Sequence, residues 1–255
     1  MNDTDCTAFL QWALPQLELR WPGFRKVRRQ VCKRLKQRMR DLGLDNYSAY
    51  RGRLETDPSE WRIFDECCHI TISRFFRDRG IFEVVRRQVL PDIAARAERE
   101  GRAAQVWSAG CASGEEPYTL KIIWDTEVAR AYPGASVSII ASDVDKTMLT
   151  RAREGRFERT SFHELPPPLI EFLDQDLRTE MPPRIFDLIL CRYVAFTYFA
   201  VPLKRKVLAS VLERLRPQGY LVIGTHEQLP SNGPELAALD SAPQIFQKRA
   251  GPEEP

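Results

Sequence analysis

The chain has 255 residues, of which 43% are hydrophobic and 29% charged, with 18 Pro and 13 Gly dispersed along it. That balance excludes collagen-like, disordered and membrane classes, and the length suits one large α/β domain or a domain of usual size joined to a small helical one. The net charge of +3 is too small to imply nucleic acid by itself, and no apolar run approaches the roughly 18 residues of a membrane span. The first residues, Met1 to Asp5, are acidic where a secretory signal would be basic, so a cytoplasmic location is expected. The six cysteines (Cys6, Cys32, Cys67, Cys68, Cys111, Cys191) show no C-x-x-C spacing, and reduced, mostly buried thiols are expected. The three histidines, His69, His163 and His226, lack metal-ligand spacing, and no metal is expected.

From the amino terminus, Arg25 to Arg40 holds nine basic residues and no acidic one, while Phe24, Val27, Val31, Leu35, Met39 and Leu42 recur at helical steps. The pattern predicts an amphipathic helix with a basic outer face, ended by Gly43. Tyr47, Tyr50 and Leu54 predict a second helix. Asp57-Pro58-Ser59-Glu60 reads as an N-cap, a proline at the first helical position and a carboxylate at the third, opening a third helix with Trp61, Phe64 and Cys68 inward. Residues 1–70 are therefore expected as a small all-helical domain, 71–103 as linker helices contributing to a cofactor site, and 104–250 as the main domain.

Beyond residue 103, Ala104 to Ser108 is a short apolar run that feeds the small-residue turn Ala109-Gly110-Cys111-Ala112-Ser113-Gly114 and an apolar-periodic segment from Glu115 to Tyr132. Further strands are predicted at Ser136 to Ser142, Phe186 to Cys191 and Tyr220 to Gly224, with a helix over Leu203 to Leu215 and a closing edge strand at Gln244 to Lys248. Alternating strands and helices predict an α/β fold with a doubly wound, mostly parallel sheet. In such a sheet ligands sit outside the carboxyl ends of the strands, where the 110–114 loop, Asp143 and the turn after Cys191 converge. The loop lacks G-x-G-x-x-G spacing, and Glu115 and Glu116 open the next helix where a phosphate binder would want neutral amides. A cationic cofactor such as S-adenosylmethionine suits those carboxylates better than a dinucleotide, although they would also complement a helix dipole.

Four blocks carry a resemblance: Thr71 to Asp78 (TISRFFRD), Val106 to Tyr118 (VWSAGCASGEEPY), Ala141 to Asp145 (ASDVD) and Phe186 to Arg192 (FDLILCR). In this order they resemble the CheR-type chemotaxis receptor methyltransferases, over about Gly23 to Lys248. The resemblance implies an amino-terminal helical domain, a Rossmann-like catalytic domain, and methyl transfer from S-adenosylmethionine to a receptor glutamate. It also implies that Arg77 lines the methyl-transfer site and contacts the cofactor, and that Thr71 and Ser73 stand where the family has an asparagine and a threonine at the cofactor. Glu116 and Asp143 match acidic cofactor contacts, Gly110 lies in the cofactor loop, Asp176-Leu177 fall at an Asn-Leu pair, and Cys191-Arg192 match a Cys-Arg pair. The family motif C-R-N-V-x-I-Y-F becomes Cys191-Arg192-Tyr193-Val194-Ala195-Phe196-Thr197-Tyr198-Phe199, so Tyr193 replaces the asparagine and either Tyr198 or Thr197 takes the active-site tyrosine position. Between Phe162 and Phe186 there is room only for a turn around Pro166-Pro167-Pro168 and one short segment, so the small antiparallel subdomain that can grip a receptor tail is expected to be missing.

A glutamate acceptor, ionised near neutrality, needs only a cation such as Arg77 and an aligning hydroxyl such as Tyr198. A small-molecule phenol, thiol or amine would need a base, for which His226 beside Glu227 is the candidate. A third reading is a non-catalytic cofactor-binding module. The expected partner is an acidic, chemoreceptor-like protein or a small acceptor. Nucleic acid is placed last because the basic helix lacks aromatics on its basic face, and a monomer is expected.

Overall fold

The computed structural model describes residues 3–157, 170–230 and 235–250. The chain divides into two compact units, Met1–Ile70 with Thr197–Leu203 and Thr71–Phe196 with Lys204–Pro255. His163 and the Pro166 to Pro168 turn lie outside the described residues.

The first unit is built from α1 (Asp3–Ala13), α2 (Trp21–Phe24), α3 (Arg28–Asp41), α4 (Tyr47–Thr56) and α5 (Pro58–Cys68). α3 buries Val31, Leu35 and Met39 on one stripe, as the periodicity requires. α4 is capped by Asn46, whose side chain accepts the Ala49 amide, and α5 by Asp57, which accepts from Ser59. Phe9 of α1 sits among Tyr47, Tyr50 and Phe64, with ring centroids 5.3, 5.6 and 5.7 Å away. Cys6 and Cys32, expected as reduced thiols, form a disulfide. The correction has a packing cause: α1 and α3 bring two buried Cβ positions together, with Cα atoms 6.1 Å apart, although 26 residues separate them in sequence.

Glu60, expected as a first-turn carboxylate, is only 1% exposed. It receives Arg38 Nε and Nη2 at 2.9 and 2.7 Å and the Tyr50 hydroxyl at 2.8 Å. The Arg38 hydrogen bonds, with that of Tyr50, outweigh burial and hold its carboxyl below the usual glutamate range. A lowered folded pKa stabilises above the unfolded value, about 4.3, and this contribution is lost as pH falls through the folded one. Urea unfolding of the wild type will therefore show stability falling below about pH 4, and Glu60→Gln will flatten that slope while costing about 3 kcal/mol at neutral pH. An unchanged acid slope in the variant would refute this.

Thr197–Leu203 joins the helical unit although it is remote in sequence. Leu19 bridges Phe199, and the Arg20 amide donates to the Tyr198 carbonyl at 2.8 Å. Arg20 Nε reaches the Thr197 carbonyl at 2.9 Å. Gly23 must be glycine here, because a Cβ would strike that same carbonyl.

The second unit opens with α6 (Arg79–Val84) and α7 (Leu90–Arg99), joined by a π-helical turn over Val85–Val89. Both belong to this unit, so 71–103 is part of its body. There follow β1 (Ala103–Ala109), α8 (Glu115–Ile123), α9 (Ala129–Ala131), β2 (Ser136–Asp143), α10 (Lys146–Glu154), β3 (Ile170–Asp174) and β4 (Phe186–Cys191). The chain continues through α11 (Ala195–Tyr198) and α12 (Val201–Arg214) to β5 (Leu215–Val222), β6 (Leu236–Leu239) and β7 (Ala242–Lys248). The sheet runs β3-β2-β1-β4-β5-β7-β6, parallel except where β7 pairs with β5 and β6. The doubly wound sheet is as expected. The closing strand was expected at an edge, but β7 lies between β5 and β6 because the short β6, absent from the sequence reading, takes the outer position. β3 was likewise not foreseen. It is the one strand described between Phe162 and Phe186, and it extends the main sheet in parallel beside β2.

The core under this sheet gathers Val85, Ile93 and Val106 with Leu120, Ile139, Leu188 and Ile245. At the opposite end from the loops, Asp187 is fully buried and takes both Arg102 Nη atoms at 2.7 Å and the Gln105 amide at 2.8 Å. This pins β1 to β4 and fixes which strand ends project toward the loops.

Candidate functional site

β1 and β2 end side by side, with Ala109 paired to Ser142. The Gly110 and Cys111 amides both donate to the Ser142 carbonyl, at 2.7 and 3.0 Å, so the loop folds back over the end of β2. Gly110 has φ of 77° and Gly114 of 94°, in the left-handed region that a side chain resists. A Cβ on Gly110 would also collide with the Val194 side chain. Asp143 Oδ2 accepts the Ala112 amide at 2.8 Å and Oδ1 the Asp145 amide at 2.9 Å. A carboxylate has about four acceptor positions, enough to hold this loop and to receive hydroxyl hydrogens. β3 brings Asp176-Leu177 to the same edge, since Asp174 pairs with Asp143 and the Gln175 amide donates to the Asp143 carbonyl at 3.1 Å. The Asp176 carboxylate is engaged by Arg178, through its amide at 2.9 Å and its Nη2 at 2.7 Å, while Leu177 is half-buried.

The centre of the site is Arg192, at the end of β4. Its side chain is 2% exposed, and its fork donates through Nη1 to Glu116 and through Nη2 to Asp78, each at 2.7 Å. Nη2 also reaches the Arg77 carbonyl at 2.8 Å, and Ser108 Oγ donates to the other Glu116 oxygen at 2.8 Å. Glu116 thus does more than complement a helix dipole. Burial opposes the charge on Arg192, but Glu116 and Asp78 overcome it and raise the guanidinium pKa. Burial also pushes Asp78 upward, yet the Tyr193 hydroxyl and Arg192 leave it below the usual aspartate range. Two carboxylates against one guanidinium leave one net negative charge, which favours a cationic ligand.

Arg77 has the opposite surroundings. Its Nη1 donates to the Ile72 carbonyl at 2.6 Å and its guanidinium lies 3.8 Å from the Tyr193 ring centroid. Among the described residues no carboxylate pairs with it. Thr71 and Ser73 lie in the extended segment just before it. Cys191 is buried, and burial, with the charge of Glu227, pushes its thiol far up, so it is no nucleophile. Burial does the same to Cys111, reinforced by Asp143.

Tyr198 belongs to the helical unit, where its ring packs on Phe24 with centroids 4.8 Å apart. His226 is exposed on the turn after β5, and the Glu227 carboxylate at its side is buried and receives the amides of Tyr193 and Gly224 at 2.8 and 2.7 Å. Tyr193 and Asp78 were not among the expected site residues. The signal for Tyr193 was the replaced asparagine; for Asp78 there was its position directly after Arg77 in the TISRFFRD block.

The donor set fits S-adenosylmethionine: strand-end carboxylates for a ribose diol, a glycine-bearing loop without phosphate-binding character, and a net negative cluster for a sulfonium and an amino group. Comparison with known proteins agrees. Residues 71–171 and 168–244 match the model of the CheR methyltransferase SAM-binding domain, and residues 26–65 that of the CheR methyltransferase all-alpha domain. The chain is similar to chemotaxis protein methyltransferase 2 of Pseudomonas aeruginosa, 29% identical over 77% of each chain. It is also similar to the chemotaxis protein methyltransferase of Salmonella typhimurium, 29% identical over 78% of this chain and 76% of the relative. Among solved structures it is similar to the N-methyltransferase NodS of Bradyrhizobium japonicum, with a TM-score of 0.32 and 19% identity over 52% of this chain and 58% of that one. With one family model matched over 71–171 and 168–244 and a second over 26–65, the chain belongs to the CheR methyltransferase family of S-adenosylmethionine-dependent methyltransferases.

Proposed function

We propose that the acceptor is a carboxylate, that of a glutamate on an acidic, chemoreceptor-like protein. The observation that carries this is the contrast between two adjacent arginines: Arg192 is saturated by two carboxylates, whereas Arg77 is half-buried and has none among the described residues. A guanidinium in that state is a receptor for a carboxylate, which it can bind through two parallel N–H groups. Bound S-adenosylmethionine supplies an electrophilic methyl group on a sulfonium. Arg77 would hold the acceptor carboxylate with one oxygen turned to receive the methyl group that the bound cofactor would supply. Such a carboxylate is ionised at neutral pH and needs no base, and positioning supplies most of the rate gain. Asp78, Glu116 and Arg192 set the charge around the reacting centre. The relatives carry the name chemotaxis protein methyltransferase, which supports a partner within a chemotaxis system. The exposed basic residues of α3, Arg29, Lys33 and Arg40 among them, with Arg25 and Lys26 in the turn before it, offer it a complementary face.

The base-assisted reading is weaker, because Glu227 faces main-chain amides, so nothing described orients His226. The test is transfer from methyl-labelled cofactor into a lysate of the source organism, followed by mild base. Volatile label released from protein is the expected outcome, diagnostic of a carboxyl methyl ester. Base-stable label would sink the carboxylate reading.

A further inference from the structure

Tyr193 stands in the left-handed region with φ of 58°, a conformation that favours asparagine and that an aromatic residue seldom adopts. Three contacts hold it there. Its hydroxyl donates to Asp78 Oδ2 at 2.5 Å and accepts the Thr225 amide at 3.2 Å, while its own amide donates to Glu227 at 2.8 Å. Room for the ring is made by Gly224, where a Cβ would come within 2.7 Å of the ring atoms Cε1 and Cζ. Burial, with the hydrogen bond to Asp78, raises the phenol pKa, so the hydroxyl stays protonated and a donor at neutral pH. The half-buried ring carries the Arg77 guanidinium, 3.8 Å from its centroid. Backbone strain fixed by so many contacts, around a side chain that touches the acceptor-binding cation, marks a functional constraint.

We propose that Tyr193 is a positioning residue: its ring clamps the Arg77 guanidinium in the orientation that receives the acceptor carboxylate, and Asp78, Thr225 and Gly224 hold the ring in place. This rests on the carboxylate reading above. Among the described residues, the Arg77 side chain is tethered by one hydrogen bond to Ile72 and by the ring, and its remaining N–H groups are the ones assigned to the acceptor. An arginine rotating freely would lose rotamer entropy on each encounter, and the ring removes that cost beforehand. The effect belongs in acceptor affinity and not in the chemical step.

Two variants separate the parts. Tyr193→Phe keeps the ring and loses the hydroxyl. Tyr193→Asn removes the ring but suits the left-handed backbone, so folding is protected. The first measurement is the 15N side-chain spectrum of Arg77, assigned by its absence in Arg77→Lys. Its Nε–H resonance is expected to show a ring-current shift in wild type and Tyr193→Phe, and to lose it in Tyr193→Asn. The second is the initial rate of base-labile methylation against lysate concentration. Apparent KM should rise about tenfold in Tyr193→Asn, the scale of a partly desolvated cation–π contact, with kcat little changed and a smaller rise in Tyr193→Phe. An Arg77 resonance that Tyr193→Asn leaves in place, or a loss confined to kcat, would overturn the clamp. Wild-type protein giving no base-labile label would instead overturn the carboxylate reading, and with it the role assigned to the clamp, even with the resonance as expected.

Discussion

Arg192→Leu will destabilise the α/β unit by about 3–5 kcal/mol, because it leaves two carboxylates without their cation in a site from which water is largely excluded. The variant strands Asp78 and Glu116 together, each at 2.7 Å from the lost guanidinium, and orphans the Arg77 carbonyl. Arg192→Lys will recover only part of the loss, since a single ammonium cannot present the fork that serves two oxygens at once. Adding Asp78→Asn to Arg192→Leu removes one of the stranded charges and should restore a good part of the stability, a coupling that a double-mutant cycle reads directly. Urea midpoints of the wild type, Arg192→Lys, Arg192→Leu, Asp78→Asn and the double variant check this. A loss for Arg192→Leu under about 1 kcal/mol, the range of an exposed pair, would mean that the cluster is hydrated and the burial argument wrong.

The second large effect is expected in the helical unit. Reducing the Cys6–Cys32 bond, or replacing Cys6 by Ser, should cost about 3.5 kcal/mol, the loop-closure value for a separation of 26 residues. The bond ties α1, which carries the central Phe9, to the basic helix α3, so its loss frees the aromatic cluster at one end. Thermal melts with and without reductant measure the effect. Alkylation of native protein purified without reductant measures the bond itself: of six cysteines, Cys6 and Cys32 should resist labelling even after denaturation. Labelling of all six would refute the pairing.

How much of this was legible in the sequence depended on range. The loop between β1 and α8 was, because small residues between an apolar run and an amphipathic helix are a local signal; the same pattern locates Asp143 and Arg192 at strand ends and Glu116 in the first turn of α8. α3, α4 and α5 were, because their stripes and caps are written within a few residues. β3 was not: Ile170-Glu171-Phe172-Leu173-Asp174 is a half-exposed edge strand without clean alternation, and β6 has only four residues. The disulfide was invisible because it follows from how α1 packs on α3, not from any Cys spacing. Tyr193 announced itself only as a departure from a motif. Its partners Asp78 and Thr225 lie 115 and 32 residues away, and nothing local says that they meet. The ion pair of Arg102 with Asp187 was hidden in the same way, across 85 residues.

The segment Thr197–Leu203 bears on how such proteins can recombine. A gene exchange with a relative that crosses over once, near residue 70, would deliver a new bundle of five helices while leaving its sixth piece behind in the old sequence. The incoming counterparts of Leu19, Arg20, Gly23 and Phe24 would then meet a foreign segment where a bridge, a carbonyl and a ring had been matched to them. Viable chimeras should accordingly carry two crossovers, moving 197–203 together with the first seventy residues, and inheritance of the two stretches should be linked across the gene.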